Sequence, residues 1–126
     1  MPKKHVVTKQ APTPIGPYSQ GVIAGGLLFV SGQIPIDPAT DKLVEGDIAV
    51  QTEQVLKNIL AVLKEAKMGP ENVVKATVYL ADMADFPAVN EIYGRFLGKE
   101  PPARSTIQAA ALPKGARIEM DVIAAF

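Results

Sequence analysis

The stretch from Ile48 to Met68 sets the terms for the rest of the chain. Apolar residues recur there at Ile48, Val55, Ile59, Val62 and Ala66, with Leu56, Leu60 and Leu63 alongside. That is a helical period with a wide apolar stripe, and such a stripe demands a cover. Asp47 is placed to cap its start, and Gly69-Pro70 is a stop signal. The spacing predicts one helix over Ile48–Met68.

The candidate cover has a different period. From Val74 to Ala81 the chain alternates, with Val74, Ala76, Val78 and Leu80 on one face and Lys75, Thr77 and Tyr79 on the other. Arg117 to Ala125 alternates likewise, with Ile118, Met120, Val122 and Ala124 against Arg117, Glu119, Asp121 and Ile123. Gln20–Ala24 and Leu27–Ser31 are β-prone runs around Gly25-Gly26, which signals a hairpin. His5–Thr8 and Ala103–Ala109 complete the predicted strands. Residues 11–17 form a proline-rich loop, and residues 32–46, with Gly32, Pro35, Pro38 and Gly46, a long one. A second helix is expected after Asp85, tolerating Pro87 in its first turn, burying Phe86, Val89, Tyr93 and Phe96, and ending at Gly98.

This order predicts an α+β fold: one domain over 1–126, a mixed, mostly antiparallel sheet, and two helices on one face. Two helices cover only one side. Yet Leu27 and Phe29 oppose Leu28 and Val30 across the same strand, so both faces are apolar. The second face wants another subunit as its cover.

Bulk chemistry excludes several functions. Thirteen basic and 13 acidic residues cancel, which argues against a nucleic-acid or anionic-membrane partner. There is no cysteine, hence no disulfide, thiolate nucleophile or cysteine metal site. The basic start Met1-Pro2-Lys3-Lys4-His5 is followed by no apolar leader, and no apolar run is long enough for a bilayer. These features suggest a soluble, cytoplasmic protein. His5 is the sole histidine, which leaves no Ser-His-Asp triad and poor metal ligation. No phosphate-cradling glycine loop occurs.

What remains is Pro101-Pro102-Ala103-Arg104-Ser105-Thr106-Ile107. Two prolines fix φ and pin where the strand begins, so Arg104 follows with a known backbone direction. A planar guanidinium held in place is a bidentate carboxylate receptor; otherwise it is a surface arginine at a strand start. Glu119, between Ile118 and Met120, is the accompanying carboxylate, and Asp121 on the same face equally fits. Asn90 lies near the apolar stripe of the second helix, as a local capping residue or a functional one. A serine without a nearby base is a poor nucleophile, so Ser105 reads as structural or as a backbone contributor.

Several motifs together resemble the RidA/YjgF family of imine deaminases. They are Ile15-Gly16-Pro17-Tyr18-Ser19-Gln20, Ser31-Gly32-Gln33-Ile34-Pro35, Phe86 to Tyr93 around Asn90, Pro102-Ala103-Arg104-Ser105, and Leu112-Pro113-Lys114 leading to Glu119. The resemblance runs from about Ala11 to the C-terminus, in order. It implies a chorismate-mutase-like homotrimer with a site in each cleft between subunits. It further implies hydrolysis of 2-imino acids, such as 2-iminopropanoate and 2-iminobutanoate, to 2-keto acids and ammonia. By the same resemblance Arg104 grips the substrate carboxylate and Glu119 helps hold the water. Tyr18, Ser31, Gly32, Asn90 and Ser105 would line the pocket, and no metal or organic cofactor is needed. A protonated imine is electrophilic, so orientation alone supplies roughly 7–11 kcal/mol in favourable cases. Some relatives are described as translation-inhibiting endoribonucleases. A non-enzymatic ligand sensor or chaperone-like scaffold is the third expectation.

Overall fold

The computed structural model describes residues 2–126. The strands are β1 (Lys4–Val6), β2 (Gly21–Ala24), β3 (Leu27–Gln33), β4 (Ile36–Asp37), β5 (Lys42–Leu43), β6 (Val73–Leu80), β7 (Ala103–Gln108) and β8 (Ile118–Ala125). The helices are α1 (Ile48–Glu65) and α2 (Phe86–Leu97). A six-stranded sheet runs β1-β2-β3-β8-β6-β7. Among the described residues only β6 and β7 pair in parallel; the remaining neighbours in this sheet are antiparallel. A parallel pair needs a crossover, and α2 supplies it.

Gly25 and Gly26 both take positive φ, 58° and 77°. This is the turn whose twist matches that of the flanking strands β2 and β3. Asp47 caps α1 by accepting from the Val50 N–H. The helix ends at Glu65, three residues before the expected Met68. Lys67 adopts φ 61°, and the Lys67 and Met68 N–H groups donate back to the Lys64 and Leu63 carbonyls. That left-handed cap satisfies the last carbonyls before Gly69-Pro70 is reached. β1 begins and ends earlier than His5–Thr8. The predicted loop 32–46 holds the end of β3 and a small hairpin of β4 and β5.

The core lies between one sheet face and both helices. Leu28, Val30, Ala76, Val78, Leu80, Ile118, Met120 and Val122 meet Val55, Leu56, Ile59, Val62 and Leu63 of α1 and Val89 of α2, all essentially without exposure. The other face has no cover among the described residues: Phe29 is 43% exposed and Ile107 48%.

Consecutive in the chain, β7 and β8 are not neighbours in the sheet: the turn near Leu112–Gly115 does not fold them into a pair. It carries the chain past β6, and β8 inserts between β3 and β6. β6 therefore separates the Arg104 strand from the Glu119 strand.

Candidate functional site

The expected site residues fall into two groups on opposite faces of the sheet. Arg104 is in register with Ala76, which faces the helices; Glu119 is in register with Tyr79 and points away from them. Alternation along a strand makes this split unavoidable once the register is set.

The first group is an arginine clamp. The Arg104 guanidinium carbon lies 5.1 Å from the Phe86 ring centroid and 4.8 Å from that of Tyr93. Its Nη1 donates to Asn90 Oδ1 at 2.7 Å. Phe86, Asn90 and Tyr93 are spaced by four and three residues, so α2 presents all three along one stripe. Cation–π contact and one amide acceptor hold the guanidinium plane, leaving donors for a planar anion. The Tyr93 hydroxyl is buried without a partner; burial pushes its pKa up, and the Arg104 charge partly opposes this.

The second group is an open hollow of about 370 Å³ lined by Ile15, Tyr18, Ser31, Gly32, Ile34, Pro113 and Glu119. Its wall is built around a break in the sheet. Between Val30 and Gln33 the pairing of β3 with β8 slips by one residue, a bulge at Ser31-Gly32. Bulges re-aim side chains and gather beside functional sites. The Ser31 hydroxyl donates to the Ser19 carbonyl. A Cβ at Gly32 would overlap the Glu119 carboxylate, so glycine is what lets the two approach. Burial first, then the Asp121 charge, push the Glu119 carboxyl above its ordinary pKa. A carboxyl raised in this way is suited to exchanging protons.

Buried Gln20 pegs the proline-rich loop that delivers Tyr18. Its Nε2 donates to the carbonyls of Thr8, Ala11 and Pro12 at 2.9, 3.2 and 2.9 Å, and its Oε1 accepts from Thr8 N at 2.7 Å. A loop short of internal donors is thereby fixed by one side chain.

Asp121 is otherwise engaged. Tyr79 Oη donates to its Oδ2 at 2.9 Å, and this bond, before burial, keeps the phenol protonated above its usual range. Ser105 stands apart from the Arg104 clamp. Its Oγ accepts from Lys75 Nζ at 3.0 Å, on the face opposite Arg104. Tyr18, Ser31, Gly32 and Glu119 are thus together, Asn90 and Arg104 are together, and Ser105 lies with neither. Sequence reasoning put Phe86 and Tyr93 in a buried stripe and missed their hold on Arg104. The four-then-three spacing around Asn90 was the available signal. Gln20 and the apolar lining at Ile15, Ile34 and Pro113 had no signal beyond the motifs they sit in.

Fold and geometry define a class: an α+β domain with a caged guanidinium on one sheet face and a carboxyl-bearing hollow beside a bulge on the other. The model of the Endoribonuclease L-PSP family matches residues 8–126, and the chain belongs to this family, the YjgF/RidA family. It is 47% identical over 122 residues to a 2-iminobutanoate/2-iminopropanoate deaminase of Bos taurus, covering 97% of this chain and 89% of that protein. The structure of YyfA from Yersinia pestis, of the conserved Rid family, superposes with a TM-score of 0.95 at 48% identity, covering 99% of this chain and all of that one. That of E. coli TdcF with bound serine gives 0.94 at 37% identity, covering 98% of each chain.

Proposed function

We propose that the protein hydrolyses 2-imino acids such as 2-iminobutanoate and 2-iminopropanoate to 2-keto acids and ammonia. The observation that carries this reading is the Arg104 guanidinium, fixed between two rings and tied to Asn90. A preoriented fork of this kind is a receptor for one small carboxylate. The Bos taurus relative carries the deaminase name, and TdcF holds serine, itself a small acid bearing nitrogen at the α carbon.

Within one chain the fork and Glu119 face opposite ways, so a small acid cannot touch both. The uncovered sheet face supports a homotrimer in which the Arg104 clamp of one copy meets the Glu119 hollow of the next. Arg104 then holds the carboxylate and Asn90 holds Arg104. Tyr18, Ser31 and Gly32 shape the reacting end, and Ser105 contributes through its backbone. Water forms a C–O bond to the imine carbon while the C=N π electrons move to nitrogen. Glu119 takes one proton from that water and passes it to nitrogen, giving the amino alcohol; it then takes the remaining hydroxyl proton as the C=O bond forms and delivers it to nitrogen as the C–N bond breaks. The products are a 2-keto acid and ammonia. Orientation and a proton carrier suffice, without metal or organic cofactor.

The test is clearance of imines released in situ by a serine or threonine dehydratase, monitored as 2-keto acid formation. Acceleration over the uncatalysed rate by catalytic amounts of protein is expected. No acceleration, with 2-keto acids nonetheless bound, would move the assignment to a ligand sensor. A chain of zero net charge with a single histidine gives an endoribonuclease little support: it has no bulk basic field and no pair of histidines to act as acid and base.

A further inference from the structure

Arg117 is the residue at which three elements converge, and no role toward substrate has been given to it. Its main-chain N–H donates to Gln51 Oε1 of α1 at 3.0 Å, and its carbonyl accepts from Ala81 N, just past β6, at 3.0 Å. Its Nη2 donates to both carboxylate oxygens of Asp85, at 2.9 and 3.0 Å. The Asp85 side chain is 15% exposed and that of Arg117 42%, so the pair is more sheltered than the exposed ion pairs that contribute little. Asp85 immediately precedes α2, yet its carboxylate caps nothing there. It is turned instead onto Arg117.

The two ends of this pair have different neighbours. Phe86, next to Asp85, forms one wall of the Arg104 clamp. Glu119 follows Arg117 by two residues at the start of β8. The ion pair therefore joins the element holding the guanidinium to the element holding the carboxyl, although the two groups themselves face opposite ways.

We propose that Asp85–Arg117 is a positioning strut that holds the Arg104 clamp and the Glu119 strand in fixed relation. Neither residue touches substrate, and the proposal rests on the imine-hydrolysis reading for its kinetic consequence. Asp85→Asn, Arg117→Gln, the double variant and Arg117→Lys form the test set. Each of Asp85→Asn and Arg117→Gln is expected to lower kcat/KM about tenfold, within the roughly hundredfold range that a misplacement of about 1 Å produces. The double variant should lose no more than the worse single one, and Arg117→Lys should recover part of the loss by restoring a charge. Denaturation midpoints measured alongside separate this from simple loss of folded protein. Additive losses, or losses that vanish when corrected for the folded fraction, would overturn the strut.

A second readout does not depend on activity. The Arg104 Nε–H resonance should be displaced by the ring currents of Phe86 and Tyr93. In Arg117→Gln it should move toward the position of a free arginine side chain. An unmoved resonance in the folded variant overturns the strut whether or not imines are substrates. A moved resonance in a protein that clears no imine would leave the strut standing and the deaminase reading fallen.

Discussion

The arginine clamp and the carboxyl hollow solve opposite problems. The clamp is finished within one chain: two rings, one amide and a proline-set strand start fix the guanidinium before any ligand arrives. The hollow is unfinished: it is open, partly apolar, and carries a carboxyl whose proton affinity is raised by burial and by Asp121. A grip on substrate benefits from rigidity, because ordering a flexible arginine on binding would cost affinity. A proton carrier benefits from partial desolvation, which brings its pKa nearer the working range. The difference teaches that one chain presents the two groups on opposite faces of its sheet, so the proposed reaction calls for a second copy to bring them together.

The sharpest way to break this comparison is at the clamp. Arg104→Ala should lose on the order of a hundredfold or more in kcat/KM, because a bidentate charge-assisted contact disappears. Arg104→Lys should keep most of that loss, since a point charge cannot reproduce the planar fork. Steady-state kinetics on coupled imine release checks both, and full activity in Arg104→Ala would remove Arg104 from the mechanism.

The next test asks whether the halves come from different copies. Arg104→Ala and Glu119→Gln chains, each inactive alone, should regain about a quarter of wild-type activity when unfolded together in equal amounts and refolded, as random head-to-tail assembly requires. If mixing restores nothing, either one chain supplies both groups or the copies meet elsewhere.

Gly32→Ala sharpens the hollow by itself. The added carbon meets the far end of the Glu119 side chain, which can swing aside, so the fold should stand while activity drops about tenfold from a displaced carboxylate. Unchanged kinetics would mean the Glu119 position is not critical.

The smallest effect is on stability. The folded-state pKa of Glu119 lies above its unfolded value, so the fold favours the protonated form. That contribution is complete below the unfolded pKa and is lost as pH rises through the folded one. Glu119→Gln should therefore be more stable than the parent near neutrality by on the order of a few tenths of a kcal/mol, allowing for the solvent screening of a half-buried group. Urea midpoints should converge in acid below the ordinary carboxylate range. A variant less stable at neutral pH would contradict the assigned shift.

Much of this was legible in the chain. The α1 stripe, the alternation of β8, the Gly25-Gly26 turn and the proline-set start of β7 are local patterns, and each appears where its period or turn residues put it. The alternation of β6 holds from Ala76 to Leu80, but a register shift between Val73 and Lys75 buries Val73 and leaves the expected Val74 exposed. Arg104 stood out because little other chemistry was available, while Glu119 was set apart from Asp121 only by the family resemblance. The end of α1 was misplaced because Lys67, not a glycine, takes the left-handed position. The grouping of the site residues was beyond reach, since it depends on which strands pair.

The sequence by itself determined the α+β class, the candidate guanidinium and the aromatic stripe of the second helix, because period, turn chemistry and residue type act over a few neighbours. Only the tertiary structure decided that β8 lies between β3 and β6, that the sheet bulges at Ser31-Gly32, and that fork and carboxyl face opposite ways. Strand order and register are set by packing among residues far apart in the chain, and a shift of one residue would have sent each side chain to the other face.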